Sequence, residues 1–530
     1  MREALRERVR TGLPARAGVV LLAAGVAALA AYLLFHRLGA GSLLGDEARY
    51  AAVVAETRAA GGPPPWRLGG EPYVDKPPLG LLLLEASLAT LGGDELAARL
   101  PAAAAGLATA LLLFALGARW SHPLAGAVAA LLYVSTPTAL GRHALRGATF
   151  DALLVLLVVA AAAAWIESLR RDRPRTFRIT LALAGAAALV KSLVAAVLLA
   201  ATVLAAELVL AAAAGKSPRR ALGRAAALAA VGAGVLAAWI GALMAAGVPD
   251  AAQRLIGFDL VQRARTGVDP GHLEPASRYL ELAVADFGWA LLLPLPVAVA
   301  LFAAWRRRET AELAVAAALL AWPLAMVALL SASASKLPWY ALPAWAGLAL
   351  AAGAGTGHLA RHSRPAVRAA AWVAALVLVS FGVARALETS GGPARRVAMD
   401  RLGRALAAEP RAQLWVEPGL NLAPRARHDP ADPALLDDAN AYYFGRLGAR
   451  PGWGLGDHEG TVCPVVVLSR GSVARLPGAP GRWQVRALTE TPLAVADGCG
   501  GTVAARLPRS RALRPGGDGG ETEAQTSERR

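Results

Sequence analysis

The sequence has few of the residues that mark a soluble or a metal-binding protein. Only 18% of its 530 residues are charged, whereas 56% are hydrophobic, so the chain is too apolar to be mostly soluble. Its eight histidines are scattered, and no His or Cys spacing matches a closed metal site. No stretch shows the ten-residue alternation of a transmembrane β-barrel. The membrane is therefore predicted to be the main solvent of this chain.

Long apolar runs, rich in the helix formers Ala and Leu, recur over the first three quarters of the sequence. A membrane-spanning helix needs about 20 such residues, and the runs are too numerous for a signal peptide followed by a globular core. We predict an all-α polytopic membrane domain at 17–387 with eleven to thirteen transmembrane helices. The eleven clearest spans lie near 17–38, 98–117, 123–140, 148–167, 179–195, 197–214, 225–247, 286–304, 311–330, 337–356 and 368–387. A further apolar run, Leu79–Leu91, is too short to span and is predicted to be a helix that lies at the outer interface of the membrane or dips into it.

The net charge of +17 comes from short Arg clusters placed between the apolar runs. If residues 1–16 are cytoplasmic, every later basic cluster between spans also falls on the cytoplasmic side, as the positive-inside rule requires. Membrane orientation thus explains the charge, and we expect membrane lipids rather than nucleic acid as partners. The long connections 39–97 and 248–285, and the chain after 388, are then predicted to face the outside.

Residues 388–505 are predicted to form a small extracytoplasmic α/β domain. A helix is expected at 395–408, and short strands are expected at Gln413–Val416, 462–469 and 483–488. The only two cysteines, Cys463 and Cys499, fall here; they form either a disulfide or two free buried thiols. Residues 506–530 contain almost nothing apolar and are predicted to be disordered.

The ionisable residues at span ends collect on the predicted outer face, where charge at membrane depth usually marks a functional site. Asp46 and Glu47, followed by Tyr50, directly follow the first span, and one carboxylate is a candidate general base for an acceptor hydroxyl. Two alternatives stay open for this acidic pair: it stabilises the start of a helix, or it binds a divalent cation.

Further outer clusters offer cations and aromatic hydroxyls. Prolines on both sides of Lys76 stiffen the backbone and hold its ammonium beside the membrane, where it suits a lipid-linked phosphate, with snorkelling to ordinary headgroups as the alternative. The motif around Tyr340 equally suits an interfacial anchor. The other candidate side chains of these clusters are Tyr73, Asp75, Arg146, Asp151, Arg263, His272 and Lys336.

Several of these motifs, in order, resemble the bacterial aminoarabinose transferase and protein mannosyltransferase superfamily, whose members are membrane glycosyltransferases with the GT-C fold. The matching runs are Asp-Glu-Ala-Arg-Tyr-Ala at 46–51, Glu-Pro-Tyr-Val-Asp-Lys-Pro-Pro at 71–78, Ala-Ala-Arg-Leu-Pro at 97–101, Leu-Val-Lys-Ser at 189–192 and Ser-Lys-Leu-Pro-Trp-Tyr-Ala-Leu-Pro at 335–343. The resemblance covers about residues 17–357. The sequence departs from the usual pattern at Asp75, where Glu is common, and at Ser192, where Gly is common.

The resemblance implies inverting transfer of a sugar, such as aminoarabinose, mannose or a related pentose or hexose, from a polyprenyl phosphate carrier. The acceptor would be lipid A, another envelope glycan or a protein, at the periplasmic face of a bacterial inner membrane. It assigns catalytic roles to Asp46, Glu47 and Asp151. It further assigns donor phosphate binding to Lys76, Arg263, Tyr340 and Lys336, and substrate binding to Tyr50, Tyr73, Asp75, Arg146 and His272. No resident cofactor is implied.

Two rival classes compete with this interpretation. A transporter or flippase for a lipid-linked sugar should show inverted repeats and ionisable groups near the bilayer midplane, and no repeat between the halves is visible. A receptor or scaffold with a membrane-anchored sensor domain would explain the C-terminal domain but not the ordered outer motifs.

Overall fold

The computed structural model describes most of the first 391 residues and shorter stretches of the remaining chain. The described ranges are 2–141, 143–171, 173–266, 272–307, 310–391, 398–407, 413–416, 450–451, 464–469, 484–487 and 493–497. Contacts divide the chain into two compact units. The first comprises Met1–Ala40 and Val53–Pro393, and the second comprises Gly41–Ala52 and Ala394–Arg530.

The first unit is built from helices, as its composition predicts. In chain order the helices up to its end are α1 (Arg2–Phe35), α2 (Asp46–Ala59), α3 (Pro78–Leu91), α4 (Glu95–Trp120), α5 (Pro123–Val134), α6 (Pro137–Leu140), α7 (Asp151–Arg170), α8 (Phe177–Lys191), α9 (Val194–Ala213), α10 (Arg219–Ala245), α11 (Arg263–Arg265), α12 (Arg278–Phe287), α13 (Leu295–Arg307), α14 (Thr310–Ala332), α15 (Leu342–Ala360) and α16 (Pro365–Gly391). Helix α2 begins in the segment assigned to the second unit. A two-residue hairpin, β1 (Arg67–Leu68) and β2 (Glu71–Pro72), precedes α3.

Within the described ranges, seven helices are long and apolar enough to cross a membrane: α1, α4, α7, α9, α10, α14 and α16. The count rises to eight if Arg278–Leu292 and Leu295–Arg307, which are bent by 61° at their junction, form one span. The predicted all-helical polytopic fold is therefore confirmed. The other three predicted spans coincide with α5, α8 and α15, which do not meet the same measure of length and composition. The total of eleven to thirteen spans stays a prediction.

Small residues let the helices of the first unit approach closely. A Cβ added to Gly117 of α4 would lie 2.7 Å from the Cα of Gly126 in α5, and one added to Gly126 would overlap the carbonyl oxygen of Phe114. Gly353 of α15 faces the carbonyl of Ala125 in the same way. Backbone contact of this kind is the usual basis of helix association in membranes, where apolar burial gives no net driving force between helices.

Buried polar side chains help to determine which helices pack against each other. The carboxylate of Glu207 in α9 accepts hydrogen bonds from Trp165 of α7, at 2.8 Å, and from Arg224 of α10, at 2.7 Å. Asp286 of α12 accepts one from Trp345 of α15 at 2.6 Å. Each buried carboxylate thus ties together helices that are distant in sequence, and a mispaired arrangement would leave the charge unsatisfied.

The second unit has a small α/β region, as predicted. Helix α17 (Ala398–Ala407) is followed by the strands β3 (Gln413–Val416), β4 (Arg450–Pro451), β5 (Pro464–Ser469), β6 (Gln484–Ala487) and β7 (Leu493–Asp497). The sheet order is β4-β3-β5-β7-β6, with β3 parallel to β4 and β5, and β7 antiparallel to β5 and β6.

The predicted helix and three predicted strands are confirmed in this unit, whereas β4 and β7 were not predicted. Two of the sequence-based expectations fall outside the described residues: the pairing of Cys463 and Cys499, and the tail 506–530. The predicted domain boundaries at 387 and 505 stay predictions.

Candidate functional site

A cavity of about 350 Å³ lies within the helical unit and combines a polar end with apolar walls. Lys76, Asp151, Lys191, Ser192 and Tyr340 supply polar atoms or charges to its lining. Helices α7, α9 and α14 contribute the apolar residues Leu154, Val197, Leu198, Leu329 and Leu330. A pocket of this composition suits an amphiphile that carries a charged headgroup on a hydrocarbon chain.

The polar lining residues come from helix ends and the turns beside them. Asp151 is the first residue of α7, and Lys191 is the last residue of α8. A carboxylate at a helix N-terminus and an ammonium at a C-terminus are both favoured by the helix dipole. Lys76 lies two residues before α3, which begins at Pro78, and proline is well tolerated in a first helical turn. The position of each of these three charges is thus favoured by the local structure at a helix end.

Asp151 and Lys191 form an ion pair inside the cavity. The Nζ atom of Lys191 lies 2.5 Å from Oδ1 of Asp151, with the side chains 20% and 8% exposed, respectively. The same ammonium lies 4.7 Å from the centre of the Tyr340 ring, within the range of a cation–π contact. The predicted residues Asp151 and Tyr340 are therefore brought together by a lysine that was not among the predicted site residues.

Tyr340 stands in a short 3-10 helix at Pro338–Ala341 that lies against the second long loop. Its neighbour Trp339 packs on the ring of His143, with centroids 4.4 Å apart. The backbone amide of Ala334 donates to the carbonyl of Ala264, and that of Lys336 donates to the carbonyl of His272. Ala264 itself lines the cavity. These contacts hold the Tyr340 segment beside the loop that carries Arg263.

Arg263 begins the three-residue helix α11, next to Ala264. Its side chain lies outside the described part of the structure, so its predicted phosphate contact stays a prediction. Arg265, the last residue of the same helix, is exposed.

Lys336, predicted to bind the donor phosphate, is only 6% exposed, and its Nζ donates to the carbonyl of Ser333 at 2.5 Å. Its flanking residues Ser333 and Ser335 line the cavity, whereas Lys336 is absent from the lining. His272 is partly buried and engages Lys336 through its carbonyl. Both residues thus support the wall of the cavity in this structure.

Lys76 is partly buried, and its ammonium donates to the carbonyl of Asp75 at 3.2 Å. The predicted substrate residue Tyr73 is 1% exposed, and its ring belongs to the core. Of the run from Tyr73 to Lys76, only Lys76 lines the cavity.

The guanidinium of Arg146 donates to the carbonyls of Leu33, at 2.9 Å, and His36, at 2.5 Å. Arg99, 8% exposed, donates in the same way to the carbonyls of Leu38 and Ala40. Burial lowers the pKa of Arg146, and the nearby charges of Arg99 and Arg37 lower it further. These bonds satisfy carbonyls at the end of α1, so Arg146 has a visible structural role, while its predicted substrate contact stays a prediction.

In the second unit, Asp46 and Glu47 occupy the first turn of α2. Tyr50 donates to Oδ2 of Asp46 at 3.2 Å, and Arg49 lies 3.7 Å from Oδ1 of the same carboxylate, whose side chain is 38% exposed. Glu47 is 8% exposed and accepts from the amide of Leu44 at 3.2 Å. Glu47 thus stabilises the start of the helix, as the alternative interpretation holds, and Asp46 is the more accessible carboxylate of the two.

Among the residues that the structure describes, no group of three or more His, Cys, Asp or Glu side chains is placed to hold a metal ion. The predicted absence of a resident cofactor and the alternative of a divalent cation at the acidic pair both stay untested.

In the sequence, Lys191 stands out only as part of the motif Leu-Val-Lys-Ser, and Ser192 only as a departure from that motif. A role for Lys191 could have been predicted, because a charged residue at the end of a buried helix needs a partner. Its pairing with Asp151 could not be predicted from residues 40 positions apart.

The chain is similar in part of its sequence to one protein family and in its fold to several solved structures. Residues 75–240 match the family model described as dolichyl-phosphate-mannose-protein mannosyltransferase. The crystal structure of ArnT from Cupriavidus metallidurans bound to undecaprenyl phosphate is similar at a TM-score of 0.60 and 18% identity, over 93% of this chain and 99% of that one. The chain thus shares the GT-C fold of ArnT, and its long apolar helices make it a multi-pass membrane protein. The resemblance found in the sequence is confirmed.

Two further solved structures share the fold at lower sequence identity. The oligosaccharyltransferase of Archaeoglobus fulgidus, in its apo form, matches at a TM-score of 0.53 and 13% identity, over 86% of this chain and 70% of that one. The same organism's AglB, in complex with an inhibitory peptide and a dolichol-phosphate, matches at 0.50 and 14%, over 86% and 69%. No curated protein gave a significant match.

Proposed function

We propose that this protein transfers a sugar from a polyprenyl phosphate to an acceptor at the periplasmic face of a bacterial inner membrane. The observation that carries the proposal is the cavity, whose polar end presents Lys76 and Tyr340 and whose apolar walls suit an isoprenoid chain. Similar folds bound to undecaprenyl phosphate and to a dolichol-phosphate support this donor class.

The reaction breaks the bond between the anomeric carbon of the sugar and the phosphate oxygen, and it forms a new bond from that carbon to an acceptor oxygen. The phosphate departs with additional negative charge, which preorganised cations stabilise far better in a poorly hydrated cavity than in water. Lys76 and Tyr340, together with Arg263, are proposed to contact this phosphate. The acceptor hydroxyl loses its proton to a base, and Asp46 is the carboxylate proposed for that role.

We assign Asp151 a positioning role in this scheme. Its carboxylate is already engaged by Lys191, and that contact holds the ammonium under the ring of Tyr340. The lining of the cavity does not favour one class of acceptor over another. The proposed acceptors are therefore lipid A, another envelope glycan and a protein.

The test uses the purified full-length protein with synthetic polyprenyl phosphosugars and each acceptor class, and it measures the released polyprenyl phosphate. Lys76→Ala should lower kcat/KM by about 10²-fold, as expected when one charge-stabilising donor is removed. Asp46→Asn should lower it by about 10²- to 10⁴-fold. Lys216→Ala, which alters an exposed lysine between α9 and α10, is the matched control and should be unchanged. Normal turnover in both site variants would remove the proposed site.

The same assay separates the rival function. A flippase would move a fluorescent polyprenyl phosphosugar across a liposome membrane without releasing polyprenyl phosphate. Translocation without release in the wild-type protein would replace the glycosyltransferase proposal.

A further inference from the structure

Ser192 has an unusual backbone. It lies at the break between α8 and α9, with φ at 66° and ψ at −162°. This region is accessible almost only to glycine, and a non-glycine residue there is strained. Glycine would hold this turn at a lower conformational cost. The side chain of the serine is therefore expected to have a role of its own.

The side chain of Ser192 is buried and lacks a partner. The residue is 6% exposed, and its hydroxyl makes no hydrogen bond within the described part of the structure. Ser335 is 2% exposed, and its hydroxyl also makes no hydrogen bond within the described part of the structure. Buried polar groups are nearly always hydrogen-bonded, and each exception calls for an explanation such as a missing ligand.

Both hydroxyls belong to residues that line the cavity of the helical unit. Next to Ser192, the charge of Lys191 is balanced by Asp151, so this part of the cavity carries little net charge. A neutral wall with hydroxyls that both donate and accept matches the hydrogen-bonding capacity of a sugar better than that of a phosphate. Lys76 and Tyr340 supply the cationic and phenolic groups that suit the phosphate.

We infer that Ser192, assisted by Ser335, hydrogen-bonds hydroxyl or amino groups of the donor sugar and helps to decide which sugar the cavity accepts. This inference rests on the proposed function for the identity of the donor. It explains why a strained serine with an unsatisfied hydroxyl occupies a position that glycine would fill without strain.

The first experiment measures binding and does not require turnover. The thermal stability of the full-length protein is recorded with undecaprenyl phosphate and with undecaprenyl phosphate carrying mannose or aminoarabinose. In the wild-type protein a sugar-bearing lipid should raise the Tm more than the sugar-free lipid, and Ser192→Gly should abolish that difference while keeping the shift caused by the lipid phosphate. Equal shifts from all three lipids in the wild-type protein, or an unchanged difference in Ser192→Gly, would overturn the inference.

Comparison of Ser192→Gly with a second variant, Ser192→Ala, separates recognition from folding. Ser192→Gly removes both the strain and the hydroxyl, so the ligand-free protein should be at least as stable as the wild type. Ser192→Ala keeps the strain and removes only the hydroxyl, and it should lose the sugar-dependent shift to the same extent. A loss in Ser192→Gly with an unchanged sugar-dependent shift in Ser192→Ala would assign the effect to the backbone conformation and contradict the inference.

The second experiment uses turnover with sugar donors that lack one hydroxyl or amino group each. Removal of the Ser192 hydroxyl should lower kcat/KM about 3- to 10-fold for the full donor, the loss typical of one neutral hydrogen bond. It should have no further effect on the one deoxy donor that lacks the partner group. Equal sensitivity of every deoxy donor would place the contact on the phosphate and refute sugar recognition. If sugar-dependent binding holds but no polyprenyl phosphate is released with any acceptor, the proposed function fails while the Ser192 inference stands.

Discussion

The ion pair between Asp151 and Lys191 gives the sharpest test of how the helical unit is held together. At 2.5 Å and an effective dielectric constant near 20, its Coulomb attraction is about 7 kcal/mol. Desolvation of two largely buried ions costs several kcal/mol each and offsets much of this gain. Removal of one partner, as in Asp151→Asn, leaves a buried ammonium and should destabilise the protein by about 3–5 kcal/mol.

The double variant Asp151→Asn with Lys191→Met should recover most of that loss, because it leaves no uncompensated charge. Unfolding of the purified protein in a denaturing detergent, followed for both single variants and the double variant, measures the coupling between them. Losses in the double variant that equal the sum of the single losses would refute the reasoning, since the two charges would then act independently. So would single variants as stable as the wild-type protein.

Contacts of the helical unit lead to two other predictions about stability. Arg146→Ala removes two hydrogen bonds to the end of α1 and should lower the free energy of unfolding by about 2–3 kcal/mol; an unchanged stability with a raised KM would instead support its predicted substrate contact. Gly126→Ala places a methyl group against the Phe114 carbonyl and should destabilise the protein by about 1–3 kcal/mol. Its matched control, Gly234→Ala in α10, meets no atom within 4 Å and should be neutral or slightly stabilising; equal effects of the two glycine variants would contradict the close packing of α4 and α5.

The part of the site that was predictable from sequence is the part fixed by local chemistry. Prolines after Lys76 predicted a stiff turn, and α3 begins at Pro78. The adjacent carboxylates Asp46 and Glu47 allowed both a helix start and a catalytic role, and the structure shows the helix start directly. Tyr340 was expected either at a phosphate or as an interfacial anchor, and its ring lies beside a cavity cation.

For two other predicted site residues, the structure shows contacts that their motifs did not predict. Tyr73 reads as a candidate substrate contact in its motif, but its ring is part of the core. Lys336 is a predicted phosphate ligand, and in the structure its ammonium donates to the backbone carbonyl of Ser333. In both cases the motif fixes the residue type, whereas the direction of the side chain depends on packing between segments that are far apart in sequence.

The sequence by itself determined that the membrane is the main solvent, that the fold is helical and that the chain resembles a known family. The reason is that apolar run length, helix propensity and ordered motifs are properties of contiguous residues. Only the tertiary structure decided which charges neutralise each other and which polar groups remain unsatisfied. Asp151 meets Lys191 because α7 packs against α8, and Ser192 gains its significance from a backbone conformation and a burial that no residue pattern encodes. Long-range pairing and burial arise from the packing of whole helices, and these are the quantities on which the proposed sugar recognition depends.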